Sequence, residues 1–449
     1  MTTALRFVRL PFMKILLFAL AVFVSCLRAD TVKDREGAVR GDKAAMEKDA
    51  RWIYNDWERG FELGKKLNKP VLIVLRCVPC LACAGIDASV LNEPALEPLL
   101  DQFVRVRLIN ANAIDLARFQ FDYDLSFSAL MFNPDGTVYG RYGSWKHQKD
   151  PLDKTTSSLK EALEGALTIH RGYPANKTSL AAKQGLPLPF KSPLEIPQLA
   201  VKYHRELDWE GKVVQSCVHC HMVGEAVRSH YRTQEKTIPT QWIYPWPAPE
   251  TIGLTLAPDH RATVEAVTPD SPAAQAGFKA GDEITSLDNA PMLSAADVSW
   301  ILHRSPDVGV VQGSIKRSGK EQQISLKLPQ DWRARSDISK RVGTWSMRAM
   351  ATGGLLLEDL SDEDRAKQNI AKDKMALFIK HAGEYGEHAA AKKAGFRKDD
   401  IIVELEGSDR RTTESDVIGK MIRNHKPGEK VAATVLRGSE RVNLMLPVQ

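Results

Sequence analysis

Apolar and polar positions in the first third of the chain follow helical and strand spacing in turn. Apolar residues recur at helical spacing from Glu47 to Asn68, which predicts an amphipathic helix. The continuous apolar run from Val71 to Leu75 predicts a short buried strand. Further strands are predicted at 103–108, 129–132 and 137–142, with a turn at 133–136 and a closing helix at 159–169. Residues 45–171 are therefore predicted to form one α/β domain.

The next stretch, residues 172–249, has a weaker pattern. Residues 172–197 are rich in proline and lack periodicity, which indicates a linker lying over a surface. Short helices are predicted at 199–207 and 222–235. The aromatic and proline-rich run 242–249 reads as a packed connector, with cover for one edge of a cofactor as the alternative. So short a region is expected to lean on its neighbours for a core.

An internal repeat marks the C-terminal half. The stretch Ala273–Ile284 recurs as Ala390–Ile401 at an offset of 118 residues, each copy giving a short helix, a glycine turn and an aspartate before a strand. Two β-rich domains are predicted at 250–330 and 352–449, joined by a linker at 331–351. The predicted fold class is multidomain, α/β and α+β, with a small and mainly helical segment between the N-terminal domain and these two.

Charge and composition narrow the choice of partners. The formal net charge is +6 over 449 residues, and removal of residues 1–29 takes away four positive charges and leaves +2. A nucleic-acid partner is not indicated by so small a charge. A hydrophobic fraction of 43% and a charged fraction of 26% are ordinary for globular domains.

The N-terminal 29 residues read as an export signal. Basic residues precede the apolar run Ile15–Val24, and Ala29 is a small residue suited to cleavage. The run is short for a membrane span. Cys26 is either discarded with the signal or retained as a lipidated N-terminus, which would be the one route to a membrane. The protein is therefore expected in the periplasm or another extracytoplasmic compartment, where disulfides persist.

Cysteines carry the first candidate chemistry. Cys77 follows the predicted buried strand, and Cys80 lies one helical turn further on, which is the arrangement of a thiol–disulfide site. A helix N-terminus stabilises a thiolate at Cys77, and Cys80 is placed to resolve a mixed disulfide. Cys83 adds a third thiol at the same spacing. A structural disulfide, or a metal held by these thiols, remains an alternative.

The second candidate is the string Cys217-Val218-His219-Cys220-His221, which has the spacing for covalent attachment of a c-type haem. The two sulfurs form the thioether links and His221 ligates the haem iron. His230 is the first candidate for the distal ligand, with His204 and Met222 as alternatives, and His219 is interpreted as a spacer. An ordinary disulfide or a partial zinc site is the alternative to haem.

The N-terminal pattern resembles the thioredoxin fold, particularly its thioredoxin-7-like branch. Thioredoxins carry a cis-proline just before the strand that faces the active site, whereas this chain has Phe127-Ser128 there. That departure puts the usual capture of a substrate backbone in doubt.

The repeated stretch, with Ser271-Pro272 before its first copy, resembles the core of bacterial PDZ domains. The resemblance implies a peptide-binding loop and strand at Ile252, Gly253, Leu254 and Thr255, and a counterpart at Gly353, Gly354 and Leu355. It also implies C-terminal or internal peptide segments of exported proteins as partners. The chain lacks a G-x-S-x-G string, so a serine protease is not expected.

The combination of these features resembles a family of bacterial exported thioredoxin and PDZ proteins, some of which carry selenocysteine at the active thiol. Two hypotheses follow. In the first, a thiol–disulfide oxidoreductase or thiol peroxidase couples Cys77 and Cys80 to a covalent haem c, with an unidentified redox partner. In the second, the PDZ domains form a non-enzymatic adaptor and the thioredoxin fold is a scaffold.

Overall fold

The computed structural model of the chain describes residues 34–78, 93–143 and 156–449. The export segment, Cys26, Cys80 and Cys83 lie outside the described residues, so the predictions made for them stay predictions. Among the described helices, none is long and apolar enough to cross a membrane.

The N-terminal domain is built on a five-stranded sheet with the strand order β1-β3-β2-β4-β5. Its strands are β1 (Trp52–Tyr54), β2 (Val71–Arg76), β3 (Val104–Leu108), β4 (Phe127–Phe132) and β5 (Val138–Tyr142). Its helices are α1 (Arg35–Met46), α2 (Trp57–Leu67), α3 (Glu97–Leu100) and α4 (Thr156–Arg171). The central strand β2 runs parallel to β3 and antiparallel to β4. The strands and the closing helix predicted for this domain are confirmed.

Both faces of β2 are covered, which explains its continuous apolar run. Val71, Ile73 and Leu75 belong to one apolar cluster, while Leu72 and Val74 belong to another on the opposite face. Successive side chains of a strand point to opposite faces, so a strand between two layers needs apolar residues at every position.

The single helix predicted from Glu47 to Asn68 is wrong over its first half. Strand β1 occupies Trp52–Tyr54, and α2 begins only at Trp57. The side chain of Asp56 accepts a hydrogen bond from the Arg59 N–H and caps the helix. An N-cap aspartate ends the preceding segment by starting a new helix, and it outweighs the apolar spacing that runs across it.

Residues 172–249, here called the middle segment, share a core with other parts of the chain. Its α-helices are α5 (Pro197–Ala200), α6 (Val213–Ser216), α7 (Cys220–Thr233) and α8 (Thr240–Ile243), with 3₁₀ turns at Lys177–Lys183 and Pro193–Glu195. Val218, Val223 and Trp242 join an apolar cluster that also contains residues of the N-terminal and C-terminal domains. The expectation that this segment leans on its neighbours is confirmed. The helix predicted at 199–207 is replaced by α5, because Pro197 starts a single turn that ends at Ala200.

The first β-rich domain consists of a two-stranded and a four-stranded sheet. Its strands are β6 (Leu254–Leu256), β7 (Val264–Val267), β8 (Glu283–Leu287), β9 (Ala290–Pro291), β10 (Gly309–Arg317) and β11 (Lys320–Leu328). Its helices are α9 (Pro272–Gln275) and α10 (Ala295–Arg304).

This domain is docked on the N-terminal domain through the start of α10. The Ser294 hydroxyl donates to the Arg141 carbonyl at 2.5 Å, and the Arg141 N–H donates to Asp297 Oδ1 at 3.1 Å. Leu293 packs into the apolar cluster beneath β5. Gly140 is needed there, because a Cβ at that position would lie 2.7 Å from Leu293 Cδ1.

The second β-rich domain has one five-stranded sheet in sequential order. Its strands are β12 (Leu355–Asp359), β13 (Leu377–Ala382), β14 (Ile401–Leu405), β15 (Lys430–Arg437) and β16 (Glu440–Pro447). Its helices are α11 (Thr344–Thr352), α12 (Asp362–Lys367), α13 (Ala390–Lys393) and α14 (Glu414–Asn424).

The internal repeat is a structural repeat as well. Asp282 pairs with Arg317 in the first copy, and Asp400 pairs with Arg437 in the second. In both copies the arginine also donates to the carbonyl of the glycine in the turn. The predicted fold class is confirmed by this arrangement of one α/β domain, a mainly helical segment and two β-rich domains.

Candidate functional site

Cys77 lies directly after the central strand β2, where the sheet positions it. Its backbone N–H donates to the Ser126 carbonyl at 2.9 Å, just before β4 begins at Phe127. The buried strand and this bond fix the Cys77 backbone beside the segment in which thioredoxins carry their proline. Cys80 and Cys83, the other predicted thiols of this site, lie outside the described residues.

The middle segment brings a histidine to this cysteine. His219 Nδ1 lies 3.3 Å from Cys77 Sγ, across 142 positions of sequence. His219 is the N-cap residue of α7, its backbone is extended, and its side chain makes no capping hydrogen bond to the helix. Burial lowers the pKa of His219, the neighbouring His221 adds to this effect, and a hydrogen bond to the Val214 backbone opposes it. At neutral pH the ring is therefore uncharged and able to accept a proton.

Cys77 and the second C-x-x-C string line one small cavity, called here the thiol cavity. Cys77, Cys217, His219 and Cys220 line it, together with apolar side chains of α1, α6 and the segment after β3. Burial raises the pKa of the Cys217 thiol to about 11, so this thiol is protonated at neutral pH. Cys220 is the first residue of the 14-residue helix α7, where the positive end of the helix favours a thiolate.

The residues of the predicted haem site do not meet at one cavity. Cys217 and Cys220 line the thiol cavity, whereas His221 lines a separate pocket together with Trp242 and His303. His221 Nδ1 lies 2.8 Å from Glu225 Oε1. In a c-type haem both sulfurs attach at the edge of the ring and the imidazole ligates the iron from one face, so all three side chains must reach one space. Here they line two separate spaces, which does not fit a haem, and its presence stays a prediction.

The distal-ligand candidates are also apart from His221. His230 lies on the same helix nine residues further along, which is half a revolution around the axis, and its ring packs against Phe190 at 4.9 Å. Met222 Sδ accepts a hydrogen bond from the Tyr203 hydroxyl at 3.2 Å. The His204 side chain is exposed.

The residues of the first predicted peptide-binding loop are mostly buried in, or hydrogen-bonded within, their own domain. Ile252 and Leu254 are buried in the apolar cluster of that domain, and Thr255 is half-buried. Gly253 has a φ of +85°, which favours glycine, and its N–H donates to the Glu250 carbonyl at 3.0 Å. That N–H is therefore engaged within the chain.

The second predicted loop is also hydrogen-bonded within its own domain, here through its carbonyl groups. The Gly353 carbonyl accepts from the Ala391 N–H, and the Gly354 carbonyl accepts from the Gly383 N–H, both at 3.0 Å. On β12, which begins at Leu355, the Leu357 N–H donates to Glu414 Oε1 at 2.8 Å. A peptide pairing with this strand would compete with these bonds.

Two side chains of interest were not singled out by sequence reasoning. His219 was interpreted as a spacer, because nothing local indicates that it contacts a cysteine so far away in sequence. Arg141 lies in an ordinary strand and gives no signal at all, yet it is buried at 1% exposure between two domains. Both depend on how separate domains pack.

Comparison with known families defines the class of these domains. Residues 52–134 match the family model described as thioredoxin-like, and residues 248–328 and 386–448 match that of the PDZ domain. The chain thus combines a thioredoxin-like domain with PDZ domains, as the sequence predicted.

Among curated proteins, the chain is similar to the periplasmic pH-dependent serine endoprotease DegQ of Escherichia coli, with 30% identity over 186 residues, 41% of this chain and 36% of the relative. It is also similar to the periplasmic serine endoprotease DegP of Salmonella typhimurium, with 25% identity over 185 residues, 41% of this chain and 34% of the relative. The chain spans about a third of the length of these relatives.

Among solved structures, it is similar to the HtrA-type protease AlgW with a tripeptide and with a decapeptide. Each is 18% identical over 31% of this chain, with a TM-score of 0.19, and the match covers 52% and 48% of those chains.

Proposed function

We propose that the protein is an extracytoplasmic thiol–disulfide exchange protein in which Cys77 is the reacting sulfur and His219 handles its proton. The observation that carries this proposal is the 3.3 Å separation between Cys77 Sγ and His219 Nδ1. A thiol is a weak nucleophile until a base removes its proton, and an adjacent neutral imidazole supplies that base. The periplasmic relatives support the location, and the PDZ domains support recruitment of protein partners.

The exchange proceeds in two successive attacks, the first by Cys77 and the second by Cys80. His219 takes the Cys77 proton, the thiolate attacks one sulfur of a substrate disulfide, and that disulfide breaks as a Cys77–substrate disulfide forms. The released substrate sulfur leaves as a thiolate and receives the proton from His219. Cys80, the predicted resolving thiol, then attacks Cys77 and frees the second substrate sulfur, which takes up the proton that Cys80 loses. The substrate is reduced by two electrons and the Cys77–Cys80 pair is oxidised.

The second C-x-x-C string, Cys217 and Cys220, is suited to reduce the oxidised Cys77–Cys80 pair back to thiols. The Cys220 thiolate attacks the Cys77 sulfur of the oxidised pair and releases Cys80 as a thiolate. Cys217 then attacks the Cys220 sulfur to close a Cys217–Cys220 disulfide, and its proton passes to the Cys77 sulfur that it displaces. Cys77 and Cys80 return to thiols, and the two electrons have come from Cys217 and Cys220. The shared thiol cavity supports this transfer, because it puts three of the four cysteines on one surface.

The test is the rate at which iodoacetamide alkylates Cys77 at pH 7, followed by mass spectrometry of the peptide that contains it. The variant His219→Gln is expected to react at least about tenfold more slowly, because the base is lost. The matched control His204→Gln alters an exposed histidine of the same segment and is expected to react like the parent. Equal rates in the parent and in His219→Gln would remove His219 from the mechanism. Full disulfide-exchange activity in Cys77→Ser would remove Cys77.

A non-enzymatic PDZ adaptor is the second candidate, and one observation favours it. The Ser126 carbonyl beside Phe127 already accepts the Cys77 N–H, in the segment where thioredoxins pair with a substrate backbone. This candidate predicts that Cys77→Ser leaves the capture of partner polypeptides and the cellular role unchanged. Loss of the cellular role in Cys77→Ser, with capture intact, contradicts it.

The haem prediction has its own measurement. Protein produced together with cytochrome maturation factors would show a Soret band that persists after denaturation if thioethers form at Cys217 and Cys220. A colourless product in which these residues form a disulfide supports exchange alone.

A further inference from the structure

The second PDZ domain has an edge strand, β12, whose outer side faces helix α14. β13 pairs with β12 on its inner side, and β12 is the outermost strand of its sheet. On the outer side, Glu414 Oε1 at the start of α14 accepts the Leu357 N–H at 2.8 Å. The space between β12 and α14, called here the second groove, is where an added peptide strand would pair with the edge.

The end of the second groove at the glycine loop is closed by helix α11. This helix leads directly into Gly353 and Gly354, and its last turn uses the N–H groups of both. The Gly353 N–H donates to the Ala349 carbonyl at 3.1 Å, and the Gly354 N–H donates to the Arg348 carbonyl at 3.0 Å. Gly353 has a φ of +61°, a left-handed conformation that commonly ends a helix at glycine. The N–H groups of the predicted peptide-binding loop therefore cap α11.

A buried ion pair fastens α11 across the groove. Arg348 Nε donates to Glu414 Oε1 at 2.8 Å, and Arg348 Nη2 donates to Glu414 Oε2 at 2.6 Å. The two side chains are 6% and 3% exposed. A guanidinium that bonds both oxygens of a carboxylate fixes the geometry of both side chains. The Glu414 carboxylate thus joins α11 to α14 and at the same time holds the outward amide of β12.

The linker before α11 is seated on the first turn of α14. The Ile338 N–H donates to Ser415 Oγ at 3.0 Å, and the Ser415 hydroxyl donates to Asp337 Oδ1 at 3.2 Å. Ile338 is buried in the apolar cluster that also contains Leu357 of β12 and Ile418 of α14. Residues 337–353, called here the linker–α11 segment, therefore contact the second groove both at the start of α14 and at the glycine loop.

We propose that the linker–α11 segment is a displaceable internal occupant of the second groove, so that this PDZ domain is autoinhibited in the intact chain. An open space lined by Lys340, Glu358 and Thr413 continues beside the covered part, so a groove is present and only its inner end is closed. A segment joined to the domain that it closes competes with any free peptide at a high effective concentration. Recruitment by the intact chain then falls to the first PDZ domain. This proposal does not depend on the chemistry of Cys77.

Hydrogen exchange of the full chain, read by mass spectrometry over residues 355–359, tests whether the segment closes the groove. The double variant Arg348→Met/Glu414→Gln removes the ion pair without leaving a buried charge. Glutamine can still accept the Leu357 N–H, so faster exchange reports that the segment has left. Exchange is expected to be at least about tenfold faster than in the parent. Equal exchange in the two proteins overturns the proposal.

The matched control is Arg437→Met/Asp400→Asn. It removes a comparable ion pair at 2.8 Å in the same domain, away from α11. Residues 355–359 should exchange in this control as in the parent. If the two double variants accelerate exchange alike, general loss of stability explains the effect and the proposal fails. Should the first double variant not fold, Arg348→Lys gives the same comparison, because lysine keeps the charge but cannot bond both oxygens. We expect at least about threefold faster exchange there.

Release of the segment should also create a binding site. Phage that display random decapeptides, either at a free C-terminus or flanked on both sides, are depleted on the parent and then selected on Arg348→Met/Glu414→Gln. A synthetic peptide of the enriched sequence should bind this variant at least about tenfold more tightly than the parent by fluorescence anisotropy, and should slow exchange at residues 355–359. No enriched sequence, or equal affinity for both proteins, overturns the autoinhibition. Cys77→Ser should leave every result unchanged, so failure of the exchange chemistry and failure of this proposal can be told apart.

Discussion

His303 is a half-buried histidine whose charge state is tied to the packing between domains. Its ring stacks on the Trp246 ring at a centroid distance of 5.0 Å. Its Nδ1 accepts a hydrogen bond from the backbone N–H of Trp246 at 3.3 Å. Burial lowers the pKa of His303 to about 3, and the positive charge of Arg333 adds to the effect. The folded protein therefore keeps this ring neutral over the range in which an unfolded histidine takes up a proton.

Stability is expected to fall with acidification through this group. The folded pKa lies below the unfolded value of 6.5, so the unfolded chain binds the extra proton first as the pH drops below about 6.5. The loss between pH 7 and pH 5 is about 2 kcal/mol. Asp122 acts in the opposite direction, because burial raises its pKa to about 6. The measurement is the urea midpoint at both pH values.

His303→Gln isolates the contribution of this histidine. The variant is expected to be less stable at pH 7, because the stacking is lost, but to lose about 2 kcal/mol less than the parent on moving to pH 5. His204→Gln, at an exposed position, should keep the parental difference between the two pH values. An unchanged difference in His303→Gln would show that other groups control the acid response.

The role of a single residue can be predicted from the sequence only where its chain neighbours form a recognisable pattern. Cys77 could be found, because a buried strand followed by C-x-x-C is a contiguous pattern. His219 and Arg141 could not, since each acquires its role from a segment more than a hundred positions away. The spacing of Cys217, Cys220 and His221 predicts haem attachment, while their packing separates the imidazole from the sulfurs.

At the scale of elements, helix α10 is fixed to the 3₁₀ turn Lys177–Lys183 of the middle segment by a buried ion pair. Lys183 Nζ lies 2.5 Å from Asp297 Oδ2, and both side chains have 0% exposure. Lys183→Met leaves a buried carboxylate without its ammonium, and we expect a loss of about 3–5 kcal/mol in the free energy of unfolding. Adding Asp297→Asn should restore at least half of it, because the amide oxygen can still accept from Leu293. Denaturant unfolding measures both.

Lys160→Met provides the control for this pair. Lys160 and Glu164 form an exposed ion pair at 3.5 Å, so its loss should change stability by no more than about 0.5 kcal/mol. If Lys183→Met behaves like Lys160→Met, then the buried pair does not hold α10 in place. A double variant no more stable than Lys183→Met would assign the cost to lost packing instead.

Elements were predictable where periodicity and turn residues agreed. The repeat of Ala273–Ile284 in Ala390–Ile401 predicted two related domains, and the shared aspartate–arginine pair gives its physical reason. The helix expected at Glu47–Asn68 failed, because a three-residue strand has too few positions to show alternation. The 3₁₀ turn Lys177–Lys183 is predicted as linker for a similar reason, since its buried residues Leu180, Ala182 and Lys183 find their contacts in other domains.

At the scale of the whole molecule, the middle segment links the other parts by sharing their cores. One apolar cluster contains Phe132 of the N-terminal domain, Val227 of α7 and Ile418 of the second PDZ domain. Composition gave no hint of this, because apolar residues that contact other domains look the same in sequence as residues of a local core. The five-stranded sheet borders the thiol cavity through Arg76 and docks the first PDZ domain through Arg141, so the two are held in a fixed relation.

The register of that sheet fixes the distance between Cys77 and the strand that docks the first PDZ domain. Arg141 of β5 pairs with Leu130, which pairs with Ile73, and Cys77 follows Ile73 by four positions. Two strand spacings across and four residues along give roughly 16 Å between the Arg141 and Cys77 backbones. The proposed reacting sulfur is therefore separated by about five extended residues from the contact that docks the first PDZ domain.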